Sequence, residues 1–370
     1  MKIETSSQDL LNELQTATRV ASTRSAVQAM SGVQMVAEGG KLELRATDQE
    51  VAVRVPVTSA TIAREGTVVL PARLLLDVVR QLPEGTVSLE LRPAEQDVEV
   101  VGGPAKFHLR TLRSEDFPNL PEPGGDQVVD VPAQAFVDTI AMVARSASRD
   151  ETRPILTGIL VSAQGGELKM VATDSYRLSV KETVLDPPID GGFEANVPAR
   201  ALQELERIVG AGSEERIRIG VRANQVVFEV GAVVLSSRLI EGQFPNYRQL
   251  LPESYEQELR MNGEELAGVV RRISLMAQKN APLRLSFKEG ELVVSAQTPD
   301  VGEASEPLPA PFAGEAFEIG FNPDFLRDGL ESAGAGDLVL KLISPLRPGL
   351  IESGDGSGFL YLIMPIRLNV

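Results

Sequence analysis

The sequence has no cysteine and no tryptophan, and only one histidine among its 370 residues. Without thiols and with a single imidazole, cysteine nucleophiles, Cys/His metal sites and catalytic pairs of histidines are excluded. The one histidine, His108, alternates with Phe107 and Leu109 as residues of a strand do. We therefore interpret it as an exposed strand residue without a chemical role.

Long apolar runs are also missing. Hydrophobic residues make up 43% of the chain and charged residues 24%, as in ordinary globular proteins, and no run approaches the roughly 18 apolar residues of a membrane span. The first residues lack the apolar segment and cleavage site of a signal peptide. We therefore expect a cytoplasmic protein with no membrane partner, and the length suggests two to three domains at roughly 150 residues each.

Positive charge is scarce, since 36 Lys and Arg residues stand against 52 Asp and Glu residues and the formal net charge is −16. Spread evenly, this balance would argue against nucleic acid, because duplex binding needs a basic surface. The positions of the cations therefore matter more than their number.

What the sequence does contain is an internal repeat. The segment Ala-Thr-Asp at residues 46–48 follows a Gly-Gly pair and recurs at 172–174, with a weaker copy around 289–294. Independently, the Pro-Ala-Arg segment at 71–73 recurs at 198–200, and a third proline stands at position 323. Both markers give a period of about 125 residues. The repeat predicts three domains, which are residues 1–126, 127–254 and 255–370.

The repeat also predicts the secondary structure of each copy. Leu10 and Leu14 follow a possible cap at Ser7, and similar helical spacing follows Asn262, so each copy is expected to begin with a helix. Alternating strands follow, such as 41–47 and 50–57, and a second helix is expected to start at the repeated prolines. Each copy thus reads as β-α-β-β-β twice. The predicted fold class is α+β, with helices packed on antiparallel sheets.

Two arginines recur at equivalent positions in the second helix of the first two copies: Arg73 and Arg80 correspond to Arg200 and Arg207. Residues seven apart share one helix face, and a solvated face is the simpler interpretation. However, a cation in the first helical turn opposes the helix dipole by about 0.3–1 kcal/mol, so an external anion would explain it better. The third copy has Ser332 in place of the second arginine. We predict a basic surface for phosphates, contacted without reading bases.

Three segments, residues 172–178, 242–247 and 361–368, together resemble the beta subunit of bacterial DNA polymerase III, and the resemblance extends over the whole chain. It implies a head-to-tail homodimer, in which three clamp domains from each subunit form a six-domain ring with helices around a central hole. It also implies a DNA sliding clamp without catalysis, cofactor or metal, through which double-stranded DNA passes without sequence specificity. The implied partners are the DNA polymerase III alpha subunit, the clamp loader and other proteins with a clamp-binding motif.

The resemblance also implies site residues. Those near DNA would be Arg24, Arg73, Arg80, Arg149, Arg153, Arg200 and Arg207. Those that bind a partner peptide would be Leu156, Thr173, Ser175, Tyr176, Arg177, Leu178, Pro245, Gln249, Leu250, Leu346, Pro348, Ile363, Met364, Pro365, Ile366 and Arg367. The dimer seam would contain Val78, Leu82, Phe107 and Leu109 on one subunit and Leu275 and Met276 on the other. Tyr176 and Gln249 depart from the family, which more often has histidine and arginine there.

Two other functions are compatible with parts of the sequence. Asp48 and Asp174 would suit a metal-dependent hydrolase or nuclease, because hard divalent cations prefer oxygen ligands. Thr-Asp between two strands is, however, more simply a turn signal. The third possibility is a scaffold of three repeats that does not bind DNA, which would leave the repeated arginines without a role.

Overall fold

The computed structural model describes residues 1–22, 25–277 and 281–368. The chain divides into two compact units: unit 1 contains Met1–Ala133 and Arg207–Leu239, and unit 2 contains Gln134–Glu206 and Ile240–Val370. None of the helices in the described residues is long and apolar enough to cross a bilayer.

The described residues form the following strands. The first copy contains β1 (Lys2–Ser6), β2 (Gly32–Glu38), β3 (Lys41–Thr47), β4 (Val51–Val57), β5 (Thr61–Arg64), β6 (Gly66–Pro71), β7 (Thr86–Arg92), β8 (Asp97–Gly102) and β9 (Ala105–Arg110). The second contains β10 (Gln127–Pro132), β11 (Gly158–Gln164), β12 (Glu167–Thr173), β13 (Arg177–Val184), β14 (Gly192–Pro198), β15 (Arg216–Arg222), β16 (Gln225–Val230) and β17 (Val233–Arg238). The third contains β18 (Gln257–Asn262), β19 (Leu283–Lys288), β20 (Glu291–Thr298), β21 (Gly302–Pro309), β22 (Phe317–Phe321), β23 (Asp337–Leu342), β24 (Gly349–Ser353) and β25 (Phe359–Ile363).

Each copy carries two α-helices among its described residues. They are α1 (Ser7–Val20), α2 (Ala72–Gln81), α3 (Ala133–Val143), α4 (Ala199–Ala211), α5 (Gly263–Ile273) and α6 (Pro323–Ala333). The order β-α-β-β-β occurs twice in every copy, as predicted, with β5 as an addition in the first. The α+β fold class is confirmed.

The strands form two antiparallel sheets in each unit. Unit 1 contains a five-stranded sheet, β5-β1-β7-β8-β9, and an eight-stranded sheet, β10-β15-β16-β17-β4-β3-β2-β6. Unit 2 contains an eight-stranded sheet, β14-β11-β12-β13-β25-β24-β23-β18, and a four-stranded sheet, β21-β20-β19-β22. Each eight-stranded sheet joins two copies of the repeat, through β4 and β17 in unit 1 and through β13 and β25 in unit 2. The predicted domain boundaries near residues 126 and 254 were derived from the sequence repeat, and the eight-stranded sheets do not coincide with them. These domain boundaries stay a prediction.

Buried apolar residues alternate with more exposed residues along the strands, and they recur about one turn apart along the helices. In β3, Leu42, Leu44 and Ala46 are buried while the residues between them are at least partly exposed. In α1, Leu10 and Leu14 lie one turn apart, and both are fully buried. The sequence therefore buries one face of each element.

The structure corrects the predicted helix starts. Every copy begins with a short strand, β1, β10 or β18, before its first helix. The side chain of Ser6, rather than Ser7, caps α1 by accepting from the amide of Asp9, and the side chain of Asn262 caps α5 by accepting from the amide of Glu265. Pro71 and Pro198 are the last residues of β6 and β14, and only Pro323 stands in the first turn of its helix. A proline lacks the amide hydrogen, which neither a strand end nor a first turn requires.

Candidate functional site

A tight turn between β12 and β13 begins the site. The hydroxyl of Thr173 donates to the carbonyl of Arg177 at 2.7 Å, and Asp174 Oδ1 accepts from the amides of Tyr176 and Arg177 at 2.9 and 3.0 Å. Ser175 has φ of 80°, in the left-handed region that a turn of this kind requires. The turn leaves the ring of Tyr176 60% exposed.

The end of β25 lies against this turn. β25 pairs with β13, and the amide of Met364 extends the ladder by donating to the carbonyl of Tyr176 at 2.9 Å. Ile363 is fully buried, whereas Met364 is 44% exposed. The ladder thus places an exposed methionine beside an exposed tyrosine.

These elements border a groove in unit 2 with a volume of about 750 Å³, which lies within the usual range of ligand sites. Four large apolar side chains on its lining are exposed: Tyr176 at 60%, Leu250 at 50%, Leu346 at 67% and Met364 at 44%. The lining residues are Thr173, Ser175, Tyr176, Arg177, Leu178, Gln249, Leu250, Leu251, Pro252, Glu253, Ser254, Ile343, Leu346, Arg347, Pro348, Leu362 and Met364. We call this the unit 2 groove. Clustered exposed apolar side chains mark a surface that binds another molecule.

Arg177 lies beneath the groove, with its side chain only 9% exposed. The guanidinium contacts Asp174 at 3.1 Å and Asp328 at 2.6 Å, and it stacks over the ring of Phe325 at 4.4 Å. Burial opposes the charge, but Tyr361, Asp328 and Asp174 raise the pKa of Arg177 above its ordinary value. For Tyr361, burial disfavours the ionised phenolate and so raises the pKa above its ordinary value. The hydroxyl of Tyr361 donates to the carbonyl of Phe325 at 2.7 Å. The charge of Arg177 is thus neutralised inside unit 2.

Not all predicted peptide-binding residues line the groove. Ten of them do, namely Thr173, Ser175, Tyr176, Arg177, Leu178, Gln249, Leu250, Leu346, Pro348 and Met364. Leu156 and Ile363 are buried, Pro245 is exposed and Pro365 is half-buried, all outside the lining. Ile366 and Arg367 line a different cavity of unit 2, because the amide of Ile366 donates to the carbonyl of Gly320 at 2.7 Å and holds the chain end on β22.

Other lining residues were not predicted. They are Leu251, Pro252, Glu253, Ser254, Ile343, Arg347 and Leu362. Strand alternation would have found Leu362, because it lies two residues before Met364 and so shares its face. Arg347 stands between two predicted residues, but nothing in the local sequence distinguishes it.

Unit 1 contains the repeat-related copy of this site, a cavity of about 400 Å³. The turn is the same: Gln49 has φ of 81°, the hydroxyl of Thr47 donates to the carbonyl of Val51 at 2.8 Å, and the amide of Arg238 donates to the carbonyl of Glu50 at 2.9 Å. Glu50 and Arg238 stand where unit 2 has Tyr176 and Met364, so the rim is charged rather than apolar. Of these two sites, as far as the described residues show, the one in unit 2 combines this turn with an apolar rim.

The two aspartates of the alternative function cap their own turns. Asp48 Oδ1 accepts from the amides of Glu50 and Val51 at 3.0 and 2.9 Å, as Asp174 does in its own turn. The interpretation of Thr-Asp as a turn signal is confirmed. In the described ranges, no three His, Asp or Glu side chains converge as a metal site would require.

Most of the predicted DNA contacts are exposed. Arg73 and Arg80 are exposed on α2, Arg200 and Arg207 on α4, and Arg149 in the segment after α3. Arg73 and Arg200 are the second residues of their helices, in the first turn as predicted.

Two predicted DNA contacts differ from these. Arg153 is half-buried and donates to Asp150 at 3.1 Å and to the hydroxyl of Ser175 at 3.1 Å. Arg24 lies outside the described residues.

The predicted seam residues differ in exposure. Val78, Leu82 and Leu109 are each at most 8% exposed in unit 1, whereas Phe107 is 36% exposed on β9, an edge strand of its sheet. In unit 2, Leu275 is 79% exposed. Met276 is half-buried, next in the chain to Leu275.

Comparisons with known proteins agree over almost the whole chain. Three family models match: DNA polymerase III beta subunit, N-terminal domain, over residues 1–121; central domain, over 130–246; and C-terminal domain, over 248–367.

Similar relatives and a similar structure carry a consistent name. The chain is 32% identical to the beta sliding clamp of Streptomyces coelicolor, covering 95% of this chain and 93% of the relative. It is also 32% identical to the beta sliding clamp of Synechococcus elongatus, over the full length of both. The crystal structure of the DNA polymerase sliding clamp from Bacillus subtilis matches with a TM-score of 0.91 and 28% identity, over 100% of both chains.

Proposed function

Because the chain belongs to the family of DNA polymerase III beta subunits, we propose that it is a sliding clamp that encircles duplex DNA and tethers the replicative polymerase. The observation that carries the tethering role is the unit 2 groove, whose exposed rim combines Tyr176, Leu250, Leu346 and Met364. Such a rim suits a short peptide with apolar anchors, and flexible methionine adapts to different partners. The clamp itself needs no catalytic residues.

The proposed DNA contacts are the arginines Arg24, Arg73, Arg80, Arg149, Arg153, Arg200 and Arg207. The exposure of Arg73 and Arg200 in the first turns of α2 and α4 supports this role, because the helix dipole alone disfavours a cation there. Contacts to phosphates carry no sequence information and weaken with salt. Topology would then retain the DNA, while weak contacts permit sliding.

The proposed assembly is a head-to-tail homodimer, whose ring consists of residues 1–126, 127–254 and 255–370 from each subunit. Two edge strands support this arrangement, since β9 and β21 each have a neighbour on one side only. An unpaired edge is a template for a strand from another chain. Phe107 and Leu275, the exposed apolar residues beside these edges, would be covered in the dimer.

The proposed partners of the groove are the DNA polymerase III alpha subunit, the clamp loader and other proteins with a clamp-binding peptide. Because these proteins would share one groove, their binding should be mutually exclusive on each subunit. A protein with this role acts on the chromosome, which in bacteria lies in the cytoplasm.

The Met364→Asp substitution tests the tethering role. A carboxylate in an apolar groove loses the burial of methionine, which is worth about 1.5–3 kcal/mol, so we expect binding of the polymerase alpha subunit to weaken at least about tenfold. Affinity is measured by surface plasmon resonance, and processivity by primer extension on a long circular template. The matched control is Val184→Asp, at an 84% exposed residue that does not line the groove. Equal affinity of the two variants would exclude the groove as the tethering site.

A further inference from the structure

The unit 2 groove has three charged side chains on its lining, Arg177, Glu253 and Arg347. Arg177 is compensated by the carboxylates of Asp174 and Asp328. Arg347 is exposed and takes part in no ion pair within residues 1–22, 25–277 and 281–368. The groove therefore presents one uncompensated cation to a bound molecule.

The connection between β23 and β24 restricts the backbone that carries this cation. Pro345 and Pro348 flank Arg347, and the amide of Arg347 donates to the carbonyl of Ser344 at 3.1 Å. Since proline fixes φ, a loop of this composition has little backbone freedom to lose when a ligand binds. Leu346, which is 67% exposed, stands next to Arg347. An apolar contact and a cation are thus offered side by side.

We propose that Arg347 selects partner peptides that carry a carboxylate beside the apolar side chain that enters the groove. This inference rests on the tethering role proposed above. The formal net charge of −16 repels acidic segments in general, so an acidic peptide needs a local cation at the point of contact. A guanidinium suits this because it donates two parallel hydrogen bonds to one carboxylate. Glu253, on the same lining, disfavours a carboxylate near itself and so restricts where the acidic residue lies.

The test uses the full-length protein and a fluorescein-labelled peptide with the clamp-binding segment of the polymerase alpha subunit. The peptide is made with Asp, Asn or Lys next to its apolar anchor, and dissociation constants are measured by fluorescence anisotropy at low and high salt. The protein variants are Arg347→Gln and Arg347→Glu. The matched control is Arg248→Gln, which removes an exposed arginine of unit 2 that does not line the groove.

An exposed ion pair changes affinity by about two- to fivefold. We therefore expect Arg347→Gln to weaken the Asp peptide by that factor and to leave the Asn peptide unchanged. Arg347→Glu should weaken the Asp peptide further and strengthen the Lys peptide, and high salt should reduce both effects. Arg248→Gln should not distinguish the peptides.

Two results would overturn the inference, and they differ in what else they affect. If all three peptides bind the unaltered protein and lose affinity equally in the Arg347 variants, the charge selection is wrong while the groove remains the peptide site. If none of the peptides binds, or if Met364→Asp binds them unchanged, the proposed tethering site fails and the selection by Arg347 fails with it.

Discussion

At the scale of single residues, Arg177 shows how one side chain shapes the groove from below. Its guanidinium connects the turn at Asp174 to α6 at Asp328, and it supports the ring of Phe325. The same ring stacks with Tyr176, their centroids 6.4 Å apart. Arg177 therefore helps to position Tyr176 through the ring of Phe325, without direct contact with a ligand.

The Arg177→Met substitution should destabilise the protein by about 3–5 kcal/mol, because it leaves the partly buried Asp174 without its cation and leaves Asp328 with Arg145 alone, at 3.3 Å. The measurement is the free energy of unfolding in urea. Adding Asp328→Asn should recover part of the loss, since it removes one of the two carboxylates that have lost Arg177. Arg149→Met, at an exposed arginine, should change stability by less than about 0.5 kcal/mol. Equal losses in the two arginine variants would contradict this role.

At the scale of secondary-structure elements, α6 approaches β25 closely. A Cβ added at Gly329 would lie 2.5 Å from the ring carbons Cδ1 and Cε1 of Tyr361, whereas one added at Gly268 of α5 would meet only the end of Arg272 at 3.4 Å. The two glycines are both helical, but only Gly329 is required by the packing of its helix.

Alanine should therefore have opposite effects at the two glycines. Gly329→Ala should destabilise the protein by about 1–3 kcal/mol through overpacking against Tyr361. Gly268→Ala should stabilise it by about 0.5–1 kcal/mol, because alanine is the better helix former. Urea or thermal unfolding of both variants measures the difference. A stabilising Gly329→Ala would mean that α6 does not pack this closely on β25.

The elements also show how far the sequence could predict the structure. The repeat predicted the β-α-β-β-β order, and the alternation of apolar and polar residues predicted the bounds of β3, because both patterns can be recognised without knowledge of tertiary contacts. The short strands that begin each copy were part of this order but were not located in the sequence, since five or six residues show little periodicity. The compensation of Arg177 by Asp328 depends on a contact between distant parts of the chain. The local sequence therefore could not reveal that Arg347, rather than Arg177, is the available cation of the groove.

At the scale of the whole molecule, the proposed ring requires a dimer. The protein should sediment at twice its chain mass, and Leu275→Asp should yield monomers, because it places a charge at a 79% exposed residue of the proposed seam. The expected weakening of the dimer is at least about tenfold. Analytical ultracentrifugation over a range of concentrations measures it, with Val184→Asp as the exposed control. A Leu275→Asp variant as dimeric as this control would place the seam elsewhere.

The net charge also acts on the whole molecule. At −16, the protein as a whole repels DNA, so binding through its surface alone should be weak and strongly salt-dependent. The proposed ring would retain DNA by topology instead, and the arginines proposed as DNA contacts would need only to reduce the repulsion of the phosphates. Retention of the protein on DNA should therefore depend on whether the DNA is circular or has free ends, and not on its sequence.

The most direct measurement loads the protein onto nicked circular DNA with a clamp loader, isolates the complex by gel filtration and then linearises the DNA with a single cut. A sliding clamp should stay on the circle and be lost from the linear molecule by sliding off its ends. Retention on linear DNA with free ends, or metal-dependent cleavage of the circle, would contradict the proposed function.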